Sequence, residues 1–234
     1  MTDAQAPASV VIVAMEEEAA PFLDRADRVT EVATNAHAVR RDLELGGERL
    51  VLLRAGIGFA NATAAAAYAF YTLGADAPVI SAGTAGGLAA GVEVGNVIVG
   101  SRYVNLNADA RAFGYVLGQV PGMPADYAPD ETLAERALAV HAGEIAVQSG
   151  AIGSGEAFVI ADRALRLRED FPDVVAVDME TAAIAQFAHT HGQRFVSIRA
   201  ISDLCAPDGT EFLTHVDDAA ARSAEVVLAA IMAL

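Results

Sequence analysis

Short apolar runs rich in β-branched residues alternate along this chain with longer alanine-rich stretches of helical periodicity. The apolar runs predict strands at residues 10–13, 50–53, 79–80, 94–99, 145–147, 174–177 and 195–201. The longer stretches predict helices at residues 60–73, 131–141, 162–170, 181–191 and 216–234. This alternation predicts an α/β fold, a three-layer α/β/α sandwich with a twisted mixed central sheet.

The chain has 234 residues, of which 54% are hydrophobic, and its mean hydropathy is +0.36. A large core is therefore expected, and one domain over residues 1–234 is the preferred interpretation. Residues 1–9 are expected to be a flexible leader. Residues 105–129 are rich in glycine, proline and aromatic side chains and predict a long irregular loop. Loops of that length usually serve a function or an interface.

The formal net charge of −16 argues against nucleic acid and against anionic membrane surfaces as partners. No apolar stretch reaches the ~18 residues of a membrane span, and a secretory signal is not evident, so a cytoplasmic location is expected. The chain contains no lysine, which excludes Schiff-base catalysis and a lysine-bearing phosphate loop. The lone Cys205 cannot form an internal disulfide. The scattered histidines predict no metal site.

Carboxylates follow three of the predicted strands. Glu18 comes after the first strand, Asp178 and Glu180 after the sixth, and Asp203 after the last. Because buried carboxylates need partners, and because strand ends gather at one edge of a sheet, these positions suggest a single acidic site.

Two glycine-rich turns, Gly56 to Gly58 and Gly83 to Gly87, follow other predicted strands. Glycine there allows either close approach to a ligand or merely a tight turn, and the glycines alone do not decide between these. Neither turn matches a dinucleotide or phosphate-loop motif, so no cofactor is expected.

In chain order, these segments resemble the nucleoside phosphorylase/nucleosidase superfamily, and most closely its methylthioadenosine/S-adenosylhomocysteine nucleosidases. The matching segments are Ala14 to Glu18, Gly56 to Gly58, Gly83 to Leu88, Ala112 to Tyr115, Gly118 to Gly122, Gly153 to Phe158, Val177 to Glu180 and Arg199 to Asp203. The resemblance covers nearly the whole chain and implies a nucleoside phosphorylase-like fold. It also implies hydrolysis of the bond between adenine and a 5′-substituted ribose, with a nucleoside and water as the only reactants.

The resemblance implies a catalytic set of four residues. Asp203 would protonate the departing adenine, although Ser202 and Asp203 would also suit a helix N-cap. Glu18 would hold the attacking water, although an acidic residue also suits the first turn of a helix. Glu180 would clamp the ribose hydroxyls with Arg199 nearby, and a buried Glu180–Arg199 ion pair is compatible with that role. Asp178, where relatives more often have glutamate, is interpreted as a supporting residue.

The resemblance further implies substrate-binding residues. The walls of the site would be formed by Met15, Ile57, Thr84, Phe158, Val159, Met179 and Phe212. Phe113 and Pro121 would reach the site of a neighbouring subunit in a homodimer. Two alternative functions stay open at this point. One is a purine nucleoside phosphorylase, which the carboxylates of residues 16–18 disfavour because they repel phosphate. The other is a non-catalytic nucleoside-binding module.

Overall fold

Nine strands and six α-helices make up the part of the chain that the computed structural model describes, residues 9–34, 37–206 and 208–232. They are β1 (Ser9–Val13), α1 (Glu16–Asp24), β2 (Arg28–Val32), β3 (Val39–Leu45), β4 (Glu48–Arg54), α2 (Phe59–Leu73), β5 (Val79–Gly87), β6 (Val97–Asn105), α3 (Glu131–Leu138), β7 (Val147–Ser154), α4 (Ala161–Asp170), β8 (Val174–Asp178), α5 (Thr181–His191), β9 (Phe195–Asp203) and α6 (Thr210–Met232). A short 3-10 turn, Arg111–Phe113, lies in the long loop before α3. The predicted α/β class is confirmed.

The strands form one mixed sheet in the order β2-β3-β4-β1-β5-β8-β7-β6-β9. β5 also pairs with β9, so that β5, β8, β7, β6 and β9 close into a ring. β1 and β9 run parallel to β5, whereas β8 meets β5 antiparallel over only two residue pairs, Gly86–Val177 and Gly87–Ala176. Because this contact is confined to the strand tips, the carboxyl ends of β1, β5, β8 and β9 all meet in one place.

Helices cover both faces of the sheet. In β1, Val10 and Ile12 pack into a core shared with α2 and α5, while Val11 and Val13 pack into a core shared with α1, α3 and α6. Side chains of a strand alternate between its two faces, so a strand covered on both sides is a continuous apolar run, as β1 is from Val10 to Val13. α4 packs separately, over a smaller cluster that includes Leu88 and Val174.

The irregular loop predicted over residues 105–129 is confirmed from residue 106 onward, because Asn105 is the last residue of β6. Besides the 3-10 turn, this loop contains an isolated β-bridge from Tyr127 to Tyr103 of β6. Within the described ranges, no helix is both long and apolar enough for a transmembrane span.

Several predicted boundaries were wrong. Ser9, assigned to a flexible leader, is a buried residue of β1, and residues 1–8 of that leader lie outside the described residues. The strand predicted at 145–147 is β7, which begins at the end of that run, and α6 begins at Thr210 instead of 216. β2 and β3 were not predicted, and α1 was expected only in the alternative interpretation of Glu18 as a first-turn residue. β2 is almost entirely exposed, and β3 carries Arg-Arg-Asp, so neither shows the apolar pattern of a buried strand.

Candidate active site

A cavity of about 150 Å³ opens where β1, β5, β8 and β9 end. Its lining joins segments from almost the whole chain: Ala14, Met15, Glu18, Ile57, Thr84, Ala85, Gly86, Ala157, Phe158, Val159, Val177, Asp178, Met179, Glu180, Arg199, Ser202, Asp203 and Phe212. The predicted gathering of carboxylates at one edge of the sheet is therefore confirmed in its geometry.

Glu18 lies in the first turn of α1 and is buried. Its Oε2 accepts hydrogen bonds from the backbone N–H groups of Ala14 (2.8 Å) and Met15 (3.2 Å). Its Oε1 accepts from the backbone N–H (2.8 Å) and the hydroxyl (3.0 Å) of Thr84. All four groups are donors, as a carboxylate requires, and only the Thr84 hydroxyl can rotate away to make room for a water. Glu18 thus serves the helix start and also faces the cavity.

Gly83 allows this close approach. A Cβ on Gly83 would lie 2.2 Å from Glu18 Oε1, and its φ of +131° is one that other residues rarely adopt. The N–H of Gly83 donates to the hydroxyl of Ser223 on α6 (3.0 Å), which in turn donates to the carbonyl of Ile198 (2.8 Å). Ser223 of α6 therefore fixes the backbone of β5 at the point where Glu18 packs against it.

Arg199 is fully buried among three carboxylates. Its Nε lies 3.1 Å from Asp178 Oδ2, its Nη2 lies 3.4 Å from Glu180 Oε2, and its Nη1 lies 3.9 Å from Glu18 Oε1. Nη2 also donates to Ser81 (2.7 Å). Burial works to lower the pKa of Arg199, but the neighbouring carboxylates raise it, so the guanidinium stays charged.

Glu180 directly precedes α5 and lines the cavity. Each of its two carboxylate oxygens has a different partner. Its Oε1 accepts from the N–H of Gly58 (2.9 Å), and its Oε2 faces Arg199. Burial raises the pKa of Glu180 from 4.5 to about 7, against the opposing effect of Arg199. The ion pair with Arg199 that the sequence left as an alternative is present, together with the cavity position.

Asp178 lines the cavity, but protein groups bind both oxygens of its carboxylate. It accepts hydrogen bonds from the hydroxyls of Ser154 and Thr181 and from the N–H of Thr181, and it faces Arg199. The Thr181 hydroxyl lies 2.8 Å from that of Ser197. The Asp178 carboxylate therefore has hydrogen-bond and ion-pair partners within the protein itself. This supports the interpretation of Asp178 as a supporting residue.

Asp203 is the last residue of β9 and does not cap α6, which begins seven residues later. Its Oδ1 accepts from the N–H of Cys205 (3.0 Å), and its Oδ2 accepts from the hydroxyl of Ser202 (2.9 Å). Burial raises the pKa of Asp203 above its ordinary value of 3.8. Cys205 presents its N–H from a left-handed backbone conformation, φ +56°. The Asp203 carboxyl is thus fixed at the edge of the cavity and biased toward holding a proton.

The remaining walls are apolar. Phe158 contacts Phe212 edge-on, with ring centroids 5.7 Å apart. Met15, Ile57, Thr84, Val159 and Met179 also line the cavity, as predicted. Phe113 and Pro121 do not line it; both are exposed on the long loop. The sequence interpretation missed Ala14, Ala85, Gly86, Ala157, Val177 and Ser202 as lining residues. Five of them directly adjoin a residue singled out from the sequence, and Gly86 lies two residues after Thr84, so proximity in the chain was the available signal.

The family model described as the phosphorylase superfamily matches residues 9–232. A methylthioadenosine/S-adenosylhomocysteine nucleosidase of Anoxybacillus flavithermus is 39% identical over 221 residues, which cover 93% of this chain and 94% of the relative. The corresponding nucleosidase of Chromohalobacter salexigens is 40% identical over 195 residues, 81% of this chain and 82% of the relative. The chain belongs to the methylthioadenosine/S-adenosylhomocysteine nucleosidases of the phosphorylase superfamily.

Solved structures of other nucleosidases share the fold. The nucleosidase of Neisseria meningitidis, in complex with methylthio-immucillin-A, superposes with a TM-score of 0.91 at 39% identity, covering 97% of this chain and 99% of that one. The nucleosidase of Colwellia psychrerythraea, in complex with adenine, gives a TM-score of 0.90 at 29% identity, covering 97% and 96%. The nucleoside phosphorylase-like fold that the motifs implied is therefore confirmed for this nucleosidase.

Proposed function

We propose that this protein hydrolyses the N-glycosidic bond of methylthioadenosine and S-adenosylhomocysteine, releasing adenine and the 5′-substituted ribose. The observation that carries the proposal is the convergence of Glu18, Glu180 and Asp203 on one cavity with apolar walls. Cleaving this bond places positive charge on the sugar and negative charge on the base. It therefore needs carboxylates near the sugar and a proton donor near the base.

Asp203 is the proposed general acid. Its raised pKa, caused by burial, favours the protonated form that an acid needs, and the two hydrogen bonds from Ser202 and Cys205 fix its orientation. Protonation of the adenine ring by Asp203 neutralises the charge that the base acquires as the bond breaks. Phe158, which lines the same cavity as Asp203, offers a flat apolar surface for the base.

Glu18 is the proposed holder of the attacking water. When the Thr84 hydroxyl rotates from Glu18 Oε1, a water can take its place and give its proton to the carboxylate during attack on the sugar. Glu180, which faces the same Arg199 guanidinium as Glu18, would accept hydrogen bonds from the ribose hydroxyls. The positive charge of Arg199 keeps these carboxylates together, and their net negative charge stabilises the cationic sugar.

Phosphorolysis is disfavoured by the charges around the cavity. Phosphate binding requires free cationic groups. Among the described residues that line the cavity, Arg199 is the one cation, and three carboxylates already surround it. Water, a neutral nucleophile, meets no such repulsion.

The test is adenine release from methylthioadenosine and S-adenosylhomocysteine in phosphate-free buffer. We expect turnover without phosphate, and loss of most turnover in Asp203→Asn and in Glu18→Gln, with adenine binding retained. Activity that depends on added phosphate would establish a phosphorylase instead. Tight adenine-nucleoside binding without turnover would establish a binding module.

We also propose a homodimer in which Phe113 and Pro121 close over the 5′ substituent in the partner's site. The side chain of Phe113 is 83% exposed, and both residues lie outside the cavity of their own chain. Mixing Asp203→Asn with Phe113→Ala subunits tests this arrangement. If Phe113 serves the neighbouring site, a mixed dimer contains one site with both defects and one intact site, so wild-type KM returns. If Phe113 serves its own site, no intact site forms.

The preferred 5′ substituent within this class is best decided by a substrate panel that adds 5′-deoxyadenosine and futalosine-type nucleosides. The groups that contact the 5′ end come from the long loop, which matches the family pattern least. A cytoplasmic location and a single domain over residues 1–234 stay predictions from the sequence.

A further inference from the structure

Glu156, in the connection between β7 and α4, makes a hydrogen bond that joins two segments next to the cavity lining. Its Oε1 accepts from the backbone N–H of Phe59 at 3.0 Å, although the two residues lie 97 positions apart in the chain. Ala157, Phe158 and Val159, which follow Glu156 directly, line the cavity, and so does Ile57, two residues before Phe59. The hydrogen bond therefore joins two walls of the site.

Gly58 gives Glu156 room for this contact. The φ of Gly58 is +97°, and a Cβ on this residue would lie 2.8 Å from Glu156 Oε2. A side chain at this position would push the Glu156 carboxylate away and would also strain the backbone. Both the backbone conformation and the packing at Gly58 thus depend on glycine.

Glu180 binds the same turn from the other side. Gly58 N–H donates to Glu180 and Phe59 N–H donates to Glu156, so two carboxylates from distant segments receive the first free N–H groups of α2. Gly58, the N-cap residue, provides no side-chain cap. Carboxylates are favoured there because the N-terminus of a helix carries partial positive charge. One end of α2 therefore fixes both the ribose carboxylate and the wall proposed to contact the base.

The wall makes few other hydrogen bonds, and its main apolar anchor is Val159, which is buried in the cluster over which α4 packs. Residues 155–160 belong to neither a helix nor a strand. Gly155 N–H donates to the carbonyl of Asp178 (3.0 Å), and Phe158 packs edge-on against Phe212. Between these two contacts, the Glu156–Phe59 hydrogen bond holds the segment against α2.

We propose that Glu156 is a positioning residue that holds residues 157–159 in the arrangement that receives the adenine ring. This inference rests on the proposed function, since it assigns the base to that wall. If the Glu156–Phe59 hydrogen bond is removed, the segment must be ordered when substrate binds, and that ordering weakens binding. Glu156 does not touch the bond that breaks, so its loss affects KM and adenine affinity and leaves kcat unchanged.

The experiment compares Glu156→Ala, Glu156→Asp and Glu156→Gln with wild type, and uses Glu169→Ala as the matched control. Glu169 is an exposed glutamate of α4 that does not line the cavity, so its removal changes the net charge equally. The measurements are kcat and KM for methylthioadenosine and the adenine dissociation constant from calorimetry. The aspartate variant keeps the charge but is one methylene too short to reach Phe59.

We expect Glu156→Ala and Glu156→Asp to raise KM and the adenine dissociation constant about fivefold, which corresponds to about 1 kcal/mol, with kcat within about twofold of wild type. Glu156→Gln, whose carbonyl can still accept from Phe59, and Glu169→Ala should stay within about twofold in every parameter. An unchanged KM in Glu156→Ala, or a Glu156→Gln variant as impaired as Glu156→Ala, would overturn the positioning role. If the wild-type protein releases no adenine, the proposed function fails, and the role of Glu156 is then decided by the adenine dissociation constants.

Discussion

Replacing Glu180 with glutamine should make the folded protein more stable at neutral and alkaline pH while it abolishes the ribose contact. Burial raises the pKa of Glu180 from 4.5 to about 7. Between these two pH values the folded state holds a proton that the unfolded state has lost. The free energy of unfolding therefore falls as the pH rises through this window. The stabilising contribution is complete below pH 4.5 and is lost above pH 7.

The size of this effect follows from the two pKa values. A change in pKa from 4.5 to about 7 corresponds to about 3 kcal/mol, at about 1.4 kcal/mol for each tenfold change in proton affinity. Between about pH 5 and about pH 8, the expected loss of wild-type stability from this group is about 2–3 kcal/mol. Glutamine does not titrate, and its carbonyl can still accept from Gly58 N–H. The difference in unfolding free energy between Glu180→Gln and wild type should therefore grow by about that amount over the same range.

Urea unfolding at a series of pH values, followed by far-UV circular dichroism because the chain has no tryptophan, measures this difference. Protein concentration is kept constant so that any self-association contributes equally. Glu169→Gln serves as the control for the loss of one carboxylate. Parallel stability curves for wild type and Glu180→Gln from pH 5 to pH 8 would refute the reasoning, because they would mean that Glu180 titrates alike in the folded and unfolded states.

Two further substitutions test contacts around the site. Gly83→Ala should lower the unfolding free energy by about 2–4 kcal/mol and reduce turnover at least about 100-fold. The reason is that the new Cβ would lie 2.2 Å from Glu18 Oε1, at a φ that alanine avoids. A Gly83→Ala enzyme with wild-type kcat in the adenine-release assay would contradict this prediction. Tyr103→Phe should lower the free energy of unfolding, measured with urea, by about 1–3 kcal/mol. The buried Tyr103 hydroxyl accepts a hydrogen bond from Ser197 N–H at 2.8 Å, and the substitution leaves this N–H unpaired. KM should not change in Tyr103→Phe, and stability equal to wild type would show that Ser197 finds another partner.

Much of the site was predictable because its residues follow apolar strands directly. Glu18, Glu180 and Asp203 each come within a few residues of a strand end, so a layered α/β fold brings them to one region. The sequence also allowed structural roles for the same residues. Of these, the N-cap role of Asp203 was wrong, because residues 204–209 separate it from α6. The ion pair of Glu180 with Arg199 was correct and coexists with the cavity position.

Other parts of the site left no signal in the local sequence. Ser223 lies in the middle of a long helix and holds Gly83, 140 positions away in the chain. Glu156 is an exposed glutamate next to a glycine, and its partner Phe59 lies 97 positions away in the sequence. Nothing in the periodicity of either segment distinguishes these residues from ordinary core or surface positions.

The sequence by itself determined that apolar strands alternate with helices, that both faces of the central strands are covered, and that acids stand at strand ends. These features repeat with the period of a strand or a helix, so a short window contains them. Only the tertiary structure decided that β9 lies between β5 and β6, that β8 meets β5 at their tips, and that Arg199 lies among three carboxylates. Strand pairing is chosen by packing over the whole domain, since hydrogen bonds between strands are chemically alike whichever strands they join.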